Sequence, residues 1–461
     1  MFATLRIGPA RADSQNPGTA FAGYNSEGKG DVTMLSRIVM LFALALPAVE
    51  ARVIVLKAAR MFDGKAKELT SPGVVVVEDG RIVGTGGSAN APAGADVIDL
   101  GDATLLPGFM DAHTHLRGDP APDTRQGRIE GLEQYPAERA LIASALARKT
   151  LHAGFTTVRD LGSSDFLDVS LRNAIRAGHI EGPRMLVAVR GLGTTGGHCD
   201  PTNSFRFGLL DPRMESPTVA NGADAMRAAV RWAVKYGADV IKTCATGGVL
   251  SLNDDVDSPQ LTQEELNALV DQAHSMRRRT AAHAHGAEGA KRAIRAGIDS
   301  IEHGSFMDEE ALRLMAQKGT FYSPTLMALE GVKERMAGLD PRQQRKARLA
   351  MDSIDQTVRK AVSLGVRIVL GTDAGVFPHG RNAGEFRLLV ERGLTPIAAL
   401  KAGTSLDAEL FGIGDRLGSL EAGKLADVVA VPGDPVADIR QTEKVFFVMK
   451  EGRVYRNDKG K

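Results

Sequence analysis

A regular alternation of short apolar strands and amphipathic helices over residues 108–417 constrains the fold of this chain most strongly. Several strands directly follow a helix that ends in glycine, as in IRAG before IDSIEHG and MAQKG before TFYS. Glycine ends a helix in the left-handed conformation, so the next strand begins at once. Eight such units predict an α/β fold, a (β/α)₈ TIM barrel, with an open doubly wound sheet as the alternative. The predicted strands are residues 108–113, 155–160, 184–190, 239–244, 280–285, 300–304, 321–326 and 367–373.

The two ends of the barrel segment are flanked by a different pattern. Short β-branched runs separated by glycine and aspartate turns fill residues 52–107, and similar runs return in residues 418–461. Two β fragments at opposite ends of a chain most simply pair with each other. We therefore predict a small β domain formed from the N- and C-terminal segments, beside a catalytic barrel at 108–417.

The first 51 residues carry a targeting pattern. Residues 34–51 read MLSRIVMLFALALPAVEA, in which a basic residue precedes an apolar stretch and a small-residue cleavage pattern. This order predicts a signal peptide, export to the periplasm or the medium, and no membrane span in the mature protein. A buried strand or helix of the mature fold is the alternative. Residues 1–33 are rich in small and polar residues and are expected to be a disordered or misassigned start.

Net charge bears on the binding partners of the chain, and cysteine content bears on its disulfides and metal sites. The 57 basic and 56 acidic side chains leave a formal net charge of +1, which does not indicate binding to nucleic acid or to an anionic membrane. A small molecule or a dipeptide is the expected partner. The two cysteines, Cys199 and Cys244, are too few for a disulfide scaffold and lack zinc-ribbon spacing. We expect Cys244 to pack as a small apolar side chain on its strand.

Histidines and one aspartate fall at the ends of predicted strands, where TIM barrels carry their active sites. His113 and His115 lie two residues apart, so both can point to one face and hold one ion, although two histidines in a turn would give the same pattern. His283, His303 and Asp373 end the fifth, sixth and eighth strands. Together with a lysine on the fourth strand, they form a set that a purely structural barrel would rarely produce.

That lysine, Lys242, ends its strand among apolar neighbours. A buried ammonium group is costly unless it is neutral or paired. Reaction with carbon dioxide would convert the amine into a carboxylate able to bridge two metal ions. An ordinary ion pair at the barrel rim is the alternative, and the residue alone does not decide between them.

Taken together, these motifs resemble those of the amidohydrolase superfamily from about residue 57 to the C-terminus. The phrases that carry the resemblance are LLPGFMDAHTH, IKTCATGG, AHAHG, SIEHGSFMD, GTDAG and GSLEAGKLADVVAV. The chain is most similar to the binuclear subgroup with a carboxylated lysine, and within it to Xaa-Pro dipeptidases and imidazolonepropionase-like metallocarboxypeptidases, including ochratoxinase-like enzymes. Imidazolonepropionase itself lacks the bridging lysine, so Lys242 argues against that activity.

The resemblance implies two divalent metal ions, with zinc the first expectation among zinc, manganese, cobalt and iron. One ion would be held by His113, His115 and Asp373 and the other by His283 and His303. N6-carboxylated Lys242 would bridge them. A hydroxide that bridges the ions would attack the substrate amide, and Asp373 would pass its proton to the departing amine.

Two more histidines have catalytic positions in the resemblance. His198, in TTGGHCD after the third strand, would stabilise the transition state at the substrate carbonyl, although a loop histidine facing solvent is the alternative. His285 shares a face with His283, but some of these dipeptidases have tyrosine there. Its role therefore stays open between binding the substrate carboxylate and contacting the tetrahedral intermediate.

The expected activity is cleavage of the amide bond to a C-terminal amino acid, with dipeptides and N-acyl amino acids such as ochratoxin A as candidate substrates. A cyclic amide hydrolase or a deaminase on the same scaffold is the alternative. A non-catalytic scaffold would be marked by lost ligands, and this chain has them all. Relatives commonly form homo-oligomers, which we expect here. Polar loops at 117–135 and 247–261 should frame the pocket, and the candidates for binding the substrate carboxylate are Arg117, Arg125, Arg190 and Arg381.

Overall fold

The computed structural model describes residues 53–86, 92–209 and 217–459. The predicted signal peptide at 34–51 and the start at 1–33 lie outside these residues.

Strands from both ends of the described chain share a sheet. The six strands before the barrel are β1 (Val53–Ala58), β2 (Arg60–Met61), β3 (Gly73–Glu78), β4 (Arg81–Thr85), β5 (Asp96–Asp99) and β6 (Ala103–Pro107). The three strands after it are β15 (Val428–Pro432), β16 (Phe447–Lys450) and β17 (Arg453–Asn457). They form two sheets, in the orders β4-β3-β1-β5 and β17-β16-β15-β6-β2. Antiparallel pairing of β15 with β6 joins the two ends of the chain.

The alternation of side chains along β6 connects two apolar cores. Successive side chains of a strand point to opposite faces. Leu105 accordingly belongs to a buried cluster that includes residues of both terminal sheets, whereas Leu106 belongs to the large cluster of the barrel. This packing seats the terminal sheets against the barrel. The domain boundaries inferred from the sequence stay a prediction.

Eight parallel strands form the centre of the fold at the positions that the sequence predicts. These strands are β7 (Phe109–Thr114), β8 (Phe155–Asp160), β9 (Arg184–Val187), β10 (Val240–Cys244), β11 (Arg279–Gly286), β12 (Ser300–Phe306), β13 (Phe321–Ser323) and β14 (Arg367–Ile368). They divide into the sheets β7-β8-β9 and β10-β11-β12-β13-β14. Backbone hydrogen bonds connect the two sheets on both sides. The amide nitrogen of Leu192 donates to the carbonyl of Lys242 at 2.8 Å, and that of Asp373 donates to the carbonyl of His113 at 2.7 Å. The predicted TIM-barrel-like α/β fold is confirmed.

Helices lie between and after these strands. Their bounds are α1 (Thr124–Glu133), α2 (Pro136–His152), α3 (Leu167–Arg176), α4 (Ala223–Lys235), α5 (Gln263–Ser275), α6 (Ala287–Ala296), α7 (Glu309–Lys318), α8 (Leu326–Glu334), α9 (Pro341–Ser363), α10 (Gly384–Glu391), α11 (Pro396–Lys401) and α12 (Asp407–Phe411). Gly297 and Gly319 end α6 and α7 in the left-handed conformation, as the sequence predicts. Within the described ranges, no helix is both long and apolar enough to cross a membrane.

Candidate active site

A cavity of about 370 Å³ opens where the barrel strands end. This volume is within the range of small-molecule sites. All of the predicted catalytic and metal-binding residues line it, namely His113, His115, His198, Lys242, His283, His285, His303 and Asp373. The structure therefore brings together residues that the sequence places on six different barrel units.

One group of potential ligands surrounds Asp373. Its Oδ1 atom lies 3.6 Å from Nε2 of His113 and 3.3 Å from Nε2 of His115. The amine of Lys242 lies 3.5 Å from the same Nε2 atom of His113. Imidazole nitrogens and a carboxylate oxygen that converge in this way form a donor set suited to a divalent cation.

A second group overlaps the first. The ligand atoms of His283, His285 and His303 all lie within 4.8 Å of one another, as do those of His113, His303 and Asp373. His303 belongs to both groups, so the donor set offers adjacent places for two cations. The resemblance leaves His285 outside the metal ligands, whereas the geometry places its ring within the second group.

Each predicted histidine ligand uses its other ring nitrogen for a hydrogen bond. These contacts are His113 Nδ1 with Glu302 Oε2 at 3.1 Å, His115 Nδ1 with the Gly162 carbonyl at 2.8 Å, His283 Nε2 with the Gly247 carbonyl at 2.9 Å, and His303 Nδ1 with Thr325 Oγ1 at 2.7 Å. Carbonyl and carboxylate oxygens only accept, and the hydroxyl of Thr325 already donates its proton to the carbonyl of Pro324 at 2.8 Å. The contacting nitrogen of each histidine therefore carries the proton. The remaining nitrogen therefore keeps a lone pair for a metal.

The backbone is strained at two of these positions. His303 and Asp373 have positive φ angles of 72° and 59°. Thr325, which contacts His303, has a φ of 52°. Residues other than glycine keep this conformation only where the surrounding structure imposes it, and such positions cluster at functional sites.

Burial controls the protonation of the centre. It lowers the pKa of His113 to about 4 and the pKa values of His283 and His303 well below the usual value, so these rings are neutral. Burial also lowers the pKa of Lys242 to about 8. For Asp373, burial opposes ionisation, but His113 and His115 outweigh it and lower the pKa.

A buried ion pair lies behind His113. Glu302 and Arg159 are 0% and 1% exposed, and their charged groups lie 2.8 Å apart. Glu302 also accepts hydrogen bonds from Nδ1 of His113 and, at 2.6 Å, from Ser300 Oγ. Burial raises the pKa of Glu302, but the charge of Arg159 and the bond from His113 outweigh it and hold this pKa well below its usual range. An ionised carboxylate thus orients His113.

Sequence reasoning missed this pair. The signal was a charged residue within a predicted apolar strand, as in SIEHG and FTTVRD. A charge in such a position needs a buried partner.

The predicted disposition of the cysteines is wrong. Cys199 and Cys244 form a disulfide, so Cys244 is not a free apolar side chain. Cys199 follows His198, and Cys244 lies two residues after Lys242. The bond therefore ties the loop that carries His198 to the strand that carries Lys242. Local spacing could not reveal a pair 45 residues apart.

Two of the four candidate arginines line the cavity. These are Arg117 and Arg190. Arg381 instead pairs with Glu334 at 2.7 Å. Neither Arg381 nor Arg125 is among the residues that line the cavity. Arg117 and Arg190 remain candidates for a substrate carboxylate.

Comparison with known proteins identifies the family of this chain. Residues 104–456 match the amidohydrolase family. A solved Xaa-Pro dipeptidase with bound methionine is 42% identical, with a TM-score of 0.84, over 88% of this chain and 100% of that chain. Ochratoxinase from Aspergillus niger is 32% identical over 429 residues, which span 88% of this chain and 87% of that protein. A solved prolidase complexed with N-methylphosphonate-L-proline is 29% identical, with a TM-score of 0.80, over 88% of this chain and 100% of that chain.

The fold and the matches define a barrel hydrolase that acts on amide bonds. The chain belongs to the amidohydrolase family.

Glu302→Gln should weaken metal binding. The amide cannot supply the negative charge that orients Nδ1 of His113, and loss of such an outer partner typically costs about 10- to 100-fold in metal affinity. Titration of the metal-free protein with zinc measures the change. Glu264→Gln is the matched control, because Glu264 is exposed on α5. Equal zinc affinity in the two variants would show that Glu302 does not support the centre.

Proposed function

We propose that this protein is a metal-dependent dipeptidase or carboxypeptidase that cleaves the amide bond to a C-terminal amino acid, including that of N-acyl amino acids. The observation that carries the proposal is the convergence of His113, His115, Lys242 and Asp373 at one cavity. The similarity to a Xaa-Pro dipeptidase, a prolidase and an ochratoxinase supports it.

The donor groups fit two divalent ions, with zinc the first candidate. We infer that N6-carboxylated Lys242 would hold both ions together with the histidines and Asp373. When bound, such ions lower the pKa of a water molecule and polarise the scissile carbonyl. The ionised carboxylate of Asp373 would accept a proton from the attacking water and deliver it to the departing amine, because an amine must be protonated to leave. The ring of His198 stacks on that of His283 with the centroids 4.2 Å apart, and we assign to His198 the stabilisation of the transition state at the substrate carbonyl.

The remaining cavity wall bears on the substrate class. Most of its apolar side chains come from the loop at 247–261, from α8 and from the segment after Asp373, and these are Val249, Leu250, Ala328, Leu329, Val332 and Val376. An uncharged side group of the substrate suits this wall. The guanidinium groups of Arg117 and Arg190 supply positive charge for a carboxylate.

We also propose that the protein is exported. The targeting pattern at 34–51 supports this, and so does the disulfide between Cys199 and Cys244, because disulfides persist mainly in oxidising compartments. Assembly into a homo-oligomer remains a prediction.

A substrate panel tests the proposed activity. Metal-loaded protein is incubated with dipeptides, N-acyl amino acids, cyclic amides and aminated heterocycles, and the products are identified by mass spectrometry. We expect release of a free C-terminal amino acid, and much slower cleavage of matched substrates whose terminal carboxylate is amidated. Release of ammonia alone would indicate a deaminase, and ring opening without fragmentation a cyclic amide hydrolase. Either result would contradict the proposal.

Reactivation of metal-free protein tests the role of Lys242. Only the neutral amine reacts with carbon dioxide, and burial lowers its pKa from 10.5 to about 8. The neutral fraction therefore grows as the pH rises through about 8. At constant dissolved carbon dioxide, reactivation by zinc should accelerate over this interval and then level off. Lys242→Ala should bind fewer ions and gain nothing from carbon dioxide. Full metal content and activity in that variant would exclude the bridge.

A further inference from the structure

We propose that Ser251, Asp254 and Lys346 form a positioning relay for His198, in which the carboxylate of Asp254 acts on the imidazole through the hydroxyl of Ser251. None of these three residues lines the catalytic cavity. The inference rests on the proposed hydrolytic function of that cavity and adds to it three residues that orient one of its side chains.

Ser251 and Asp254 belong to a closed ring of hydrogen bonds that Gln260 completes. Nδ1 of His198 lies 3.0 Å from Oγ of Ser251, which donates to Oδ1 of Asp254 at 2.5 Å. The other carboxylate oxygen of Asp254 accepts from Nε2 of Gln260 at 3.0 Å, and Oε1 of Gln260 accepts from the backbone nitrogen of His198 at 2.9 Å. One carboxylate thus holds both the ring and the main chain of His198.

Counting protons fixes the tautomer of His198. A serine hydroxyl has a single proton, and the short contact with Asp254 uses it. Its second acceptor, the Gly248 carbonyl at 3.0 Å, would use the same proton. Ser251 can therefore only accept from His198, so Nδ1 of His198 carries hydrogen. Nε2 is left as the ring atom available to the substrate, since no residue in the described ranges bonds it.

Lys346 holds Asp254 and the loop around it in place. Its side chain on α9 is 3% exposed, and its ammonium group donates to the carbonyls of Gly248 and Ser251 at 2.6 and 2.7 Å and to Oδ1 of Asp254 at 3.0 Å. Burial opposes ionisation of Asp254, but the bonds from Ser251 and Lys346 outweigh it and lower the pKa of Asp254. These bonds connect the loop at 247–261 to α9 and favour the ionised form of the Asp254 carboxylate.

Neighbouring groups restrict the orientation of the His198 ring. It stacks on His283, with the ring planes 26° apart. On another side lies Gly248, where a Cβ atom would come within 2.2 Å of the imidazole. The disulfide of Cys199 holds the next residue. Such convergent support is typical of a side chain whose orientation matters to the reaction.

A double-mutant cycle separates this role from simple support of the loop. Asp254→Asn and Ser251→Ala are made in the wild type and in His198→Gln, and kcat, KM and bound metal are measured with the best substrate of the panel. We expect each variant to lower kcat by about 10- to 100-fold in the wild type, with unchanged KM and metal content, by analogy with other outer-layer partners. In the His198→Gln background neither should cause a further loss.

Two controls sharpen the cycle. Ser251→Thr keeps a hydroxyl and should retain most of the activity that Ser251→Ala loses. Asp255→Asn removes a charge from the same loop at an exposed position and should leave kcat unchanged.

Three kinetic results would overturn the proposal. They are equal losses in the two backgrounds, a fall in bound metal that accompanies the fall in kcat, and full activity of His198→Gln. If wild type cleaves no substrate of the panel, the proposed function fails instead. The relay is then judged by nitrogen NMR of histidine-labelled protein, in which Nδ1 of His198 should be protonated in wild type and lose this preference in Ser251→Ala. An Nε2-protonated ring in wild type would refute the relay.

Discussion

The burial of many ionisable groups in one small volume is the constraint on which the rest of this structure depends. Removing charged and polar groups from water is costly unless each acquires a partner. Here the ends of the strands supply the histidines. One ring nitrogen of each forms a hydrogen bond with a carbonyl, hydroxyl or carboxylate oxygen. The second nitrogens of His113 and His115 instead lie beside the carboxylate of Asp373, at 3.6 and 3.3 Å. Together with the ligand atoms of His283 and His303, they form a donor set that suits a divalent cation.

The parts of the fold that sequence predicts are those set by local patterns. Each barrel strand is a short apolar run, and each helix that ends at a residue such as Gly297 carries its own stop signal. Candidate ligands such as His113 and Asp373 could be found because the active sites of such barrels lie at the ends of the strands. Lys242 stood out because an amine within an apolar strand requires an explanation, and the structure places this amine at the cavity, 3.5 Å from Nε2 of His113.

The parts that sequence could not predict depend on contacts between distant residues. Glu302 meets His113 across 189 positions, and Lys346 meets Asp254 across 92. No local spacing encodes such pairs, since they exist only once the barrel and its loops have closed. The disulfide at Cys199 was missed for the same reason. These long-range contacts orient the side chains that local patterns identify, so the chemistry of the site depends on both.

Anomalous X-ray diffraction from crystals grown with zinc and bicarbonate tests the central claim most directly, because it locates metal ions without assuming a mechanism. The account predicts two anomalous peaks, one beside His113, His115 and Asp373 and the other beside His283 and His303, with electron density for a carboxylate on the amine of Lys242 between them. A single peak with an unmodified lysine, or no peak within the cavity, would contradict it.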